Sequence, residues 1–297
     1  MQIFMKTTLF FILFLSLISG LTAQVTDTEV EDMEKNQRGN SKVDYRKPDY
    51  PELNNDIILR YLERQPNFGM YKDNYFISGI PVNKRITNQS ADAKFQISIR
   101  QRLVSTSMPH YTQLMLTFTQ KAFWDIYYTS SPFTDINYNP GLLLMTPIIQ
   151  NYRFKGVVLF SVEHESNGKD GADNRSWNFM TLSGAYFHNA YLSFQAKVWY
   201  GLVSGDNSDL FKYRGYGQIV SNFRSYNNRS GISLVINPCS KGVNTQLELS
   251  LRPHRRALEY LFLQWTQGYG ESLLNYNRYS SMVRVGICLK PPLRDLY

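Results

Sequence analysis

Residues Val157 to Tyr186 read VVLFSVEHESNGKDGADNRSWNFMTLSGAY, and their alternation decides the fold. The stretch reads as two strands joined by a polar loop. Val158, Phe160, Val162, His164 and Ser166 share one parity and therefore one face of a strand. Asn178, Met180, Leu182 and Tyr186 share one parity on the return strand. A hairpin centred near Gly171 sets His164 opposite Asn178. Ser166, His164 and Asn178 then form one polar row on an otherwise apolar face. An activated serine requires a base within hydrogen-bond reach and an acceptor that orients the base. Whether the apolar face meets a protein core or lipid decides what such a row is for.

The same texture recurs from about Met70 onward. Phe95, Ile97 and Ile99 alternate with Lys94, Gln96, Ser98 and Arg100. Leu192, Phe194, Ala196, Val198 and Tyr200 alternate with Tyr191, Ser193, Gln195 and Lys197, and Leu247, Leu249 and Leu251 with Gln246, Glu248, Ser250 and Arg252. About twelve candidate strands lie between Met70 and Leu289. Two all-β architectures fit. A soluble sandwich or barrel puts the apolar faces inside. A transmembrane antiparallel β-barrel puts them outside, around a polar lumen. The Gln, Lys, Arg, Glu and Tyr on nearly every opposite face, the abundance of Tyr and Phe, and the terminal aromatic Tyr297 favour the membrane barrel.

The N-terminus agrees with export. Lys6 precedes an almost wholly apolar run from Thr7 to Gly20, and Leu21-Thr22-Ala23 offers a small-residue cleavage site. Residues 1–23 read as a signal peptide, too short for a spanning helix and followed by polar sequence. There is no Cys near the cleavage site, so a lipoprotein anchor is not expected. Residues 24–68, charged and containing Pro48, Pro51 and Pro66, read as a partly disordered periplasmic extension, with a short amphipathic helix expected over Asp56–Arg64. Residues 69–297 form the expected barrel domain. The net charge of +8 is scattered and carries no nucleic-acid-binding motif, so nucleic acid is not an expected partner. The two cysteines, Cys239 and Cys288, lie in strand-like stretches and are expected to be free thiols.

A second polar anomaly stands on the apolar side. In the third candidate strand Leu114, Leu116, Phe118 and Gln120 share parity, so Gln120 faces the same way as the apolar residues. An amide in hydrocarbon without a partner costs several kcal/mol. A second chain is the simplest partner; the plainer alternative is that Gln120 lies near the interface and reaches water.

These residues and others carry a resemblance. Phe118-Thr119-Gln120-Lys121 with Trp124, Ser130-Ser131-Pro132-Phe133, Asn137-Tyr138, His164-Glu165-Ser166-Asn167-Gly168 and Arg175-Ser176-Trp177-Asn178 occur in order. Lys212-Tyr213 with Gly215-Tyr216 and Gln218 follows, then Gly268 to Leu273 with Tyr276-Asn277. The chain resembles the outer membrane phospholipase A family, calcium-dependent dimeric serine hydrolases on a twelve-stranded barrel of the bacterial outer membrane. The resemblance implies Ser166 as nucleophile, His164 as general base and acid, Asn178 as the residue orienting the imidazole, and the Gly168 N–H as an oxyanion donor. It implies a Ca2+ site at a homodimer interface, from Lys169 through its carbonyl, Asn174, and Ser130 of the other subunit. Asn174 departs from the serine of the family's archetype but still offers an oxygen. Gln120 matches a polar position of the dimer interface. The implied function is hydrolysis of phospholipid acyl esters (A1, A2 and lysophospholipase type) at a site facing the outer leaflet. A catalytically idle structural or transport barrel, and an acyltransferase sharing the first half-reaction, are the alternatives.

Overall fold

The computed structural model describes residues 65–104, 108–150, 153–189, 191–203, 205–227, 229–254 and 257–291. The expected signal peptide, the helix over residues 56–64, nearly all of the extension and Tyr297 lie outside the described residues.

Period-two alternation becomes thirteen strands among these residues: β1 (Phe68–Met70), β2 (Asn74–Pro81), β3 (Asp92–Arg102), β4 (Gln113–Trp124), β5 (Phe133–Gln150), β6 (Arg153–Ser166), β7 (Ser176–Phe187), β8 (Leu192–Val203), β9 (Gly217–Arg224), β10 (Ser230–Cys239), β11 (Gly242–Leu251), β12 (Glu259–Gly268) and β13 (Ser280–Leu289). One short helix, α1 (Leu210–Arg214), sits between β8 and β9. Strands β2 to β13 pair antiparallel with their chain neighbours, and β13 pairs back onto β2 from Met282↔Pro81 to Leu289↔Asn74. The result is a closed ring of twelve. The short β1 pairs only with β3 and stands outside the ring. Closure leaves no strand edge in the ring, which a backbone surrounded by hydrocarbon requires.

The distribution of side chains settles which way the faces point. Leu202 is 75% exposed, Val198 56% and Leu182 53%, whereas Lys94 is 1% and Arg284 2% exposed. A soluble protein shows the reverse, so the apolar face is the outer wall and the lumen is the polar core. Phe95 shares the outward parity yet is buried, because the ring of Phe133 lies edge-on to it at 6.0 Å and Trp124 stacks on Phe133 at 5.2 Å. Neither Cys239 nor Cys288 forms a disulfide among the described residues.

Ion pairs hold the lumen. Arg284 donates to both oxygens of Asp92 at 2.7 Å and to Glu271 at 2.8 Å. Lys94 donates to Gln264 at 2.7 Å and to Glu271 at 3.0 Å, and Gln264 donates to Glu248 at 3.2 Å. Glu271 comes from the β12–β13 loop, which reaches across to β5: the Leu273 N–H donates to Asn137 Oδ1 at 3.1 Å and the Leu274 N–H to Asp135 Oδ2 at 3.0 Å. Burial alone raises a carboxyl group's pKa, but Arg284 and then Lys94 more than offset it, holding Glu271 well below its ordinary 4.5. This contribution to stability is therefore complete above the unfolded value and lost as pH falls towards the folded one.

Two outcomes follow from this division. Leu182→Arg, on the wall, should cost about 2–4 kcal/mol in equilibrium unfolding from liposomes, whereas the inward Lys197→Arg should cost less than about 1 kcal/mol. Acidification below about pH 4 should destabilise the wild-type barrel, and Glu271→Gln should flatten that acid limb in thermal unfolding followed against pH.

Candidate active site

Strands β6 and β7 meet in a register that pairs Glu165 with Trp177, His164 with Asn178 and Ser166 with Ser176. Val158, Phe160, Val162, Met180 and Leu182 are all exposed on the wall. Parity carries His164, Ser166 and Asn178 onto that wall at the looped end of the hairpin. His164 Nδ1 and Asn178 Oδ1 are 2.8 Å apart. A carboxamide oxygen only accepts, so Nδ1 donates in this contact, and Nε2 is the nitrogen that can serve as base in the neutral ring. Among the described residues no hydrogen bond joins Ser166 Oγ to the ring. The two side chains share a face at i and i+2, about 7 Å apart along the strand. Such bonds commonly tighten only when substrate arrives.

The β6–β7 loop is tied by Asn167, which is 3% exposed. Its Oδ1 accepts from the Arg175 N–H at 3.0 Å, and its Nδ2 donates to the Asp173 carbonyl at 2.8 Å. Gly168 follows at φ +64°, and a Cβ there would meet the Tyr138 ring at 3.2 Å. Tyr138 is the cross-strand partner of both Ser166 and Gln120. Gln120, Tyr138 and Ser166 therefore lie on one lateral row of the wall. Gln120 is half-buried, and its side chain makes no hydrogen bond among the described residues.

The neighbouring loops close over this end. Arg175 lies over the Tyr276 ring at 5.9 Å, and the Tyr276 hydroxyl donates to Asp209. Burial, then Asp209, push the Tyr276 phenol up to about 12, so it remains a donor at neutral pH. The candidate metal oxygens come from separate loops. Ser130 is exposed in the β4–β5 loop. Lys169 anchors its own loop by donating from Nζ to the Thr134 carbonyl at 2.9 Å, and Asn174 donates from Nδ2 to Asp206 at 3.0 Å. No hydrogen bond links Ser130 to Lys169 or Asn174 among the described residues, and those residues contain no cluster of three or more His, Cys, Asp or Glu fit for a metal. The donor set nevertheless suits a hard, oxygen-seeking cation. Engaging the Asn174 amide nitrogen with Asp206 leaves its oxygen available, and Ser and main-chain oxygens are ordinary calcium ligands.

Several residues here escaped the reading of the sequence. Asn139 donates from Nδ2 to the His164 carbonyl at 2.9 Å, and Glu165 holds Arg214. Their signals were weak: an Asn beside a Pro in a strand, and one acidic residue between two outward side chains.

The closed ring with its apolar outer wall defines a transmembrane antiparallel β-barrel that carries a polar row on that wall. Residues 64–289 match the family model for phospholipase A1, and the chain belongs to that family. It is 30% identical over 271 residues to phospholipase A1 of Salmonella typhimurium, and 30% over 271 residues to that of Escherichia coli; each alignment covers 81% of this chain and 89% of the relative. Its fold is similar to that of outer membrane phospholipase A from Escherichia coli, with a TM-score of 0.69 and 25% identity over 78% of this chain and 97% of the other. It is also similar to the outer membrane phospholipase dimer of Salmonella typhi with bound calcium, with a TM-score of 0.68 and 26% identity over 78% and 97% of the two chains.

Gly168→Ala should cost about 1–2 kcal/mol, because the left-handed conformation is unfavourable for alanine. Urea unfolding of the liposome-embedded barrel measures it, and a cost near zero would show that the loop relaxes.

Proposed function

We propose that this protein is an outer-membrane phospholipase that hydrolyses acyl esters of phospholipids, with Ser166 as nucleophile, His164 as base and Asn178 as its orienting partner. The observation that carries the reading is the 2.8 Å His164–Asn178 pair on the lipid-facing wall, two residues along β6 from Ser166. Nε2 takes the Ser166 proton as Oγ attacks the ester carbonyl. The imidazolium then returns that proton to the leaving alcohol. Water, deprotonated by the same ring, releases the fatty acid. Asn178 fixes the tautomer but, being neutral, stabilises the imidazolium less than a carboxylate does. The Gly168 N–H, following the nucleophile in a left-handed turn, is the donor assigned to the oxyanion.

Ser130, Lys169 through its carbonyl and Asn174 would hold calcium, with Ser130 supplied by a second copy. When bound, the ion supplies electrostatic stabilisation of negative charge developing on the ester oxygen. The lateral row from Ser166 through Tyr138 to Gln120 supports a dimer face beside the site, where an unpartnered amide gains a partner. In this reading residues 1–23 are a signal peptide, residues 24–68 are periplasmic, and residues 69–297 form the barrel with its site at the outer leaflet.

The test is fatty-acid release from phospholipid micelles, with calcium and with chelator. Ser166→Ala should lose about a thousandfold or more while remaining a folded barrel. An active S166A protein overturns the assignment. Chelation should abolish release by the wild type, and release that persists would remove calcium from the mechanism. Acyl groups recovered on another lipid rather than as free acid would indicate the acyltransferase. Ion conductance without ester cleavage would indicate an idle barrel.

A further inference from the structure

The catalytic segment of β6 is poorly supported on one flank. The β5–β6 ladder passes from Tyr138↔Ser166 directly to Gly141↔Glu163, so His164 and Glu165 have no regular partners on β5. Pro140 lies in that gap and has no N–H to donate. The Asn139 side chain takes over part of the role by donating to the His164 carbonyl at 2.9 Å. The segment also stands at the strand end, where Ser166↔Ser176 is the last pair with β7. A strand end with an interrupted ladder opens more readily than a strand centre.

Glu165 compensates from inside. It is the one residue between His164 and Ser166, so its side chain points into the lumen while theirs point to lipid. Its Oε2 accepts from Arg214 Nη1 at 2.5 Å and from Trp177 Nε1 at 2.8 Å. Trp177 is the cross-strand partner of Glu165 and the neighbour of Asn178. One carboxylate therefore clasps the lumen side of both catalytic strands. The ion pair is largely shielded, with side-chain exposures of 14% for Arg214 and 12% for Glu165. Arg214 is fixed in turn. Its Nε donates to the Gly270 carbonyl at 3.2 Å, its own carbonyl accepts from Asn237 Nδ2 at 2.9 Å, and its guanidinium lies 5.6 Å from the Trp177 ring.

We infer that Glu165 and Arg214 are positioning residues for the proposed site: the ion pair inside the barrel sets the spacing of His164, Ser166 and Asn178 on its outside. The inference rests on the reading of those three residues as the catalytic set. It differs from a general stability role in what it predicts for folded barrels, although the pair touches neither substrate nor catalytic side chain. Its loss should lower turnover in barrels that remain folded. A displacement of about 1 Å at a reacting group costs up to about a hundredfold in rate.

The experiment uses the full-length barrel in detergent with a soluble short-chain ester, and compares Glu165→Gln, Arg214→Met, the double variant, Arg214→Lys and Ser166→Ala. The folded fraction is scored by heat-modifiable electrophoretic mobility. Turnover per folded barrel should fall about ten- to a hundredfold in E165Q and R214M with KM unchanged. Arg214→Lys should recover part of it, and the double variant should be no worse than the poorer single, as expected of groups that act as a unit. If the single variants fail to fold because one charge is left unpaired, the double variant, which removes both charges of the pair, should fold and show the same loss. Wild-type turnover in the double variant, or a raised KM with turnover intact, overturns the inference while leaving the catalytic assignment standing. Activity that survives S166A overturns both.

Discussion

Every N–H and C=O of a chain in hydrocarbon must find a partner within the protein, and the rest of this structure depends on that constraint. It demands the pairing of β13 with β2, because an open sheet leaves two unpaired edges in lipid. Closure separates two environments, and the period-two geometry of a strand distributes alternate residues between them. Apolar side chains go to the wall because lipid accepts them, and charged ones go to the lumen because it alone solvates or pairs them.

A lumen built this way shares its space between buried apolar clusters, such as that of Met115, Leu143, Met145 and Leu159, and charged groups. Arg284, Asp92, Glu271, Lys94, Gln264 and Glu248 form a connected polar network where a soluble barrel carries branched aliphatics. Ion pairs of this kind add little over well-packed apolar groups, but removing one partner leaves the other uncompensated at a cost of about 3–5 kcal/mol. Their value lies in geometry. Glu271 brings the β12–β13 loop into the network, and Asn137 and Asp135 receive that loop on the far side, so the mouth beside the candidate site is crossed by a tethered strap.

Much of this was legible in the sequence because it depends on parity. A hairpin centred on Gly171 sets His164 opposite Asn178, and the structure has that register. Alternation in residues 94–100 and 192–200 assigned wall and lumen faces, with Phe95 distinguished only by the aromatic ring laid against it. Contacts that join elements far apart in the chain were not legible. Nothing local to Glu165 points to Arg214, which arrives through α1 and the left-handed Gly215 at φ 62°. The interruption opposite His164 was equally hidden, since a proline in a strand signals an irregularity but not which neighbour loses its partner. The short β1 pairs with β3 alone, apart from β2, and only the ladder shows that break.

The same parity that sorts lipid from water divides labour at the site. Residues 164 and 166 must face lipid if they are to meet an acyl ester in the plane of the membrane. Hydrocarbon offers them no polar scaffold, and among the described residues their side-chain hydrogen-bond partner on the wall is Asn178. Residue 165 has the opposite situation: it cannot reach a lipid, but it has the whole polar interior to bind to. A site on the outside of a barrel is therefore best made rigid from the inside, through the residue that intervenes between its working side chains. The lumen network then serves a purpose beyond filling space. It fixes, through a strand only one residue thick, the geometry of groups that the membrane leaves with few partners of their own.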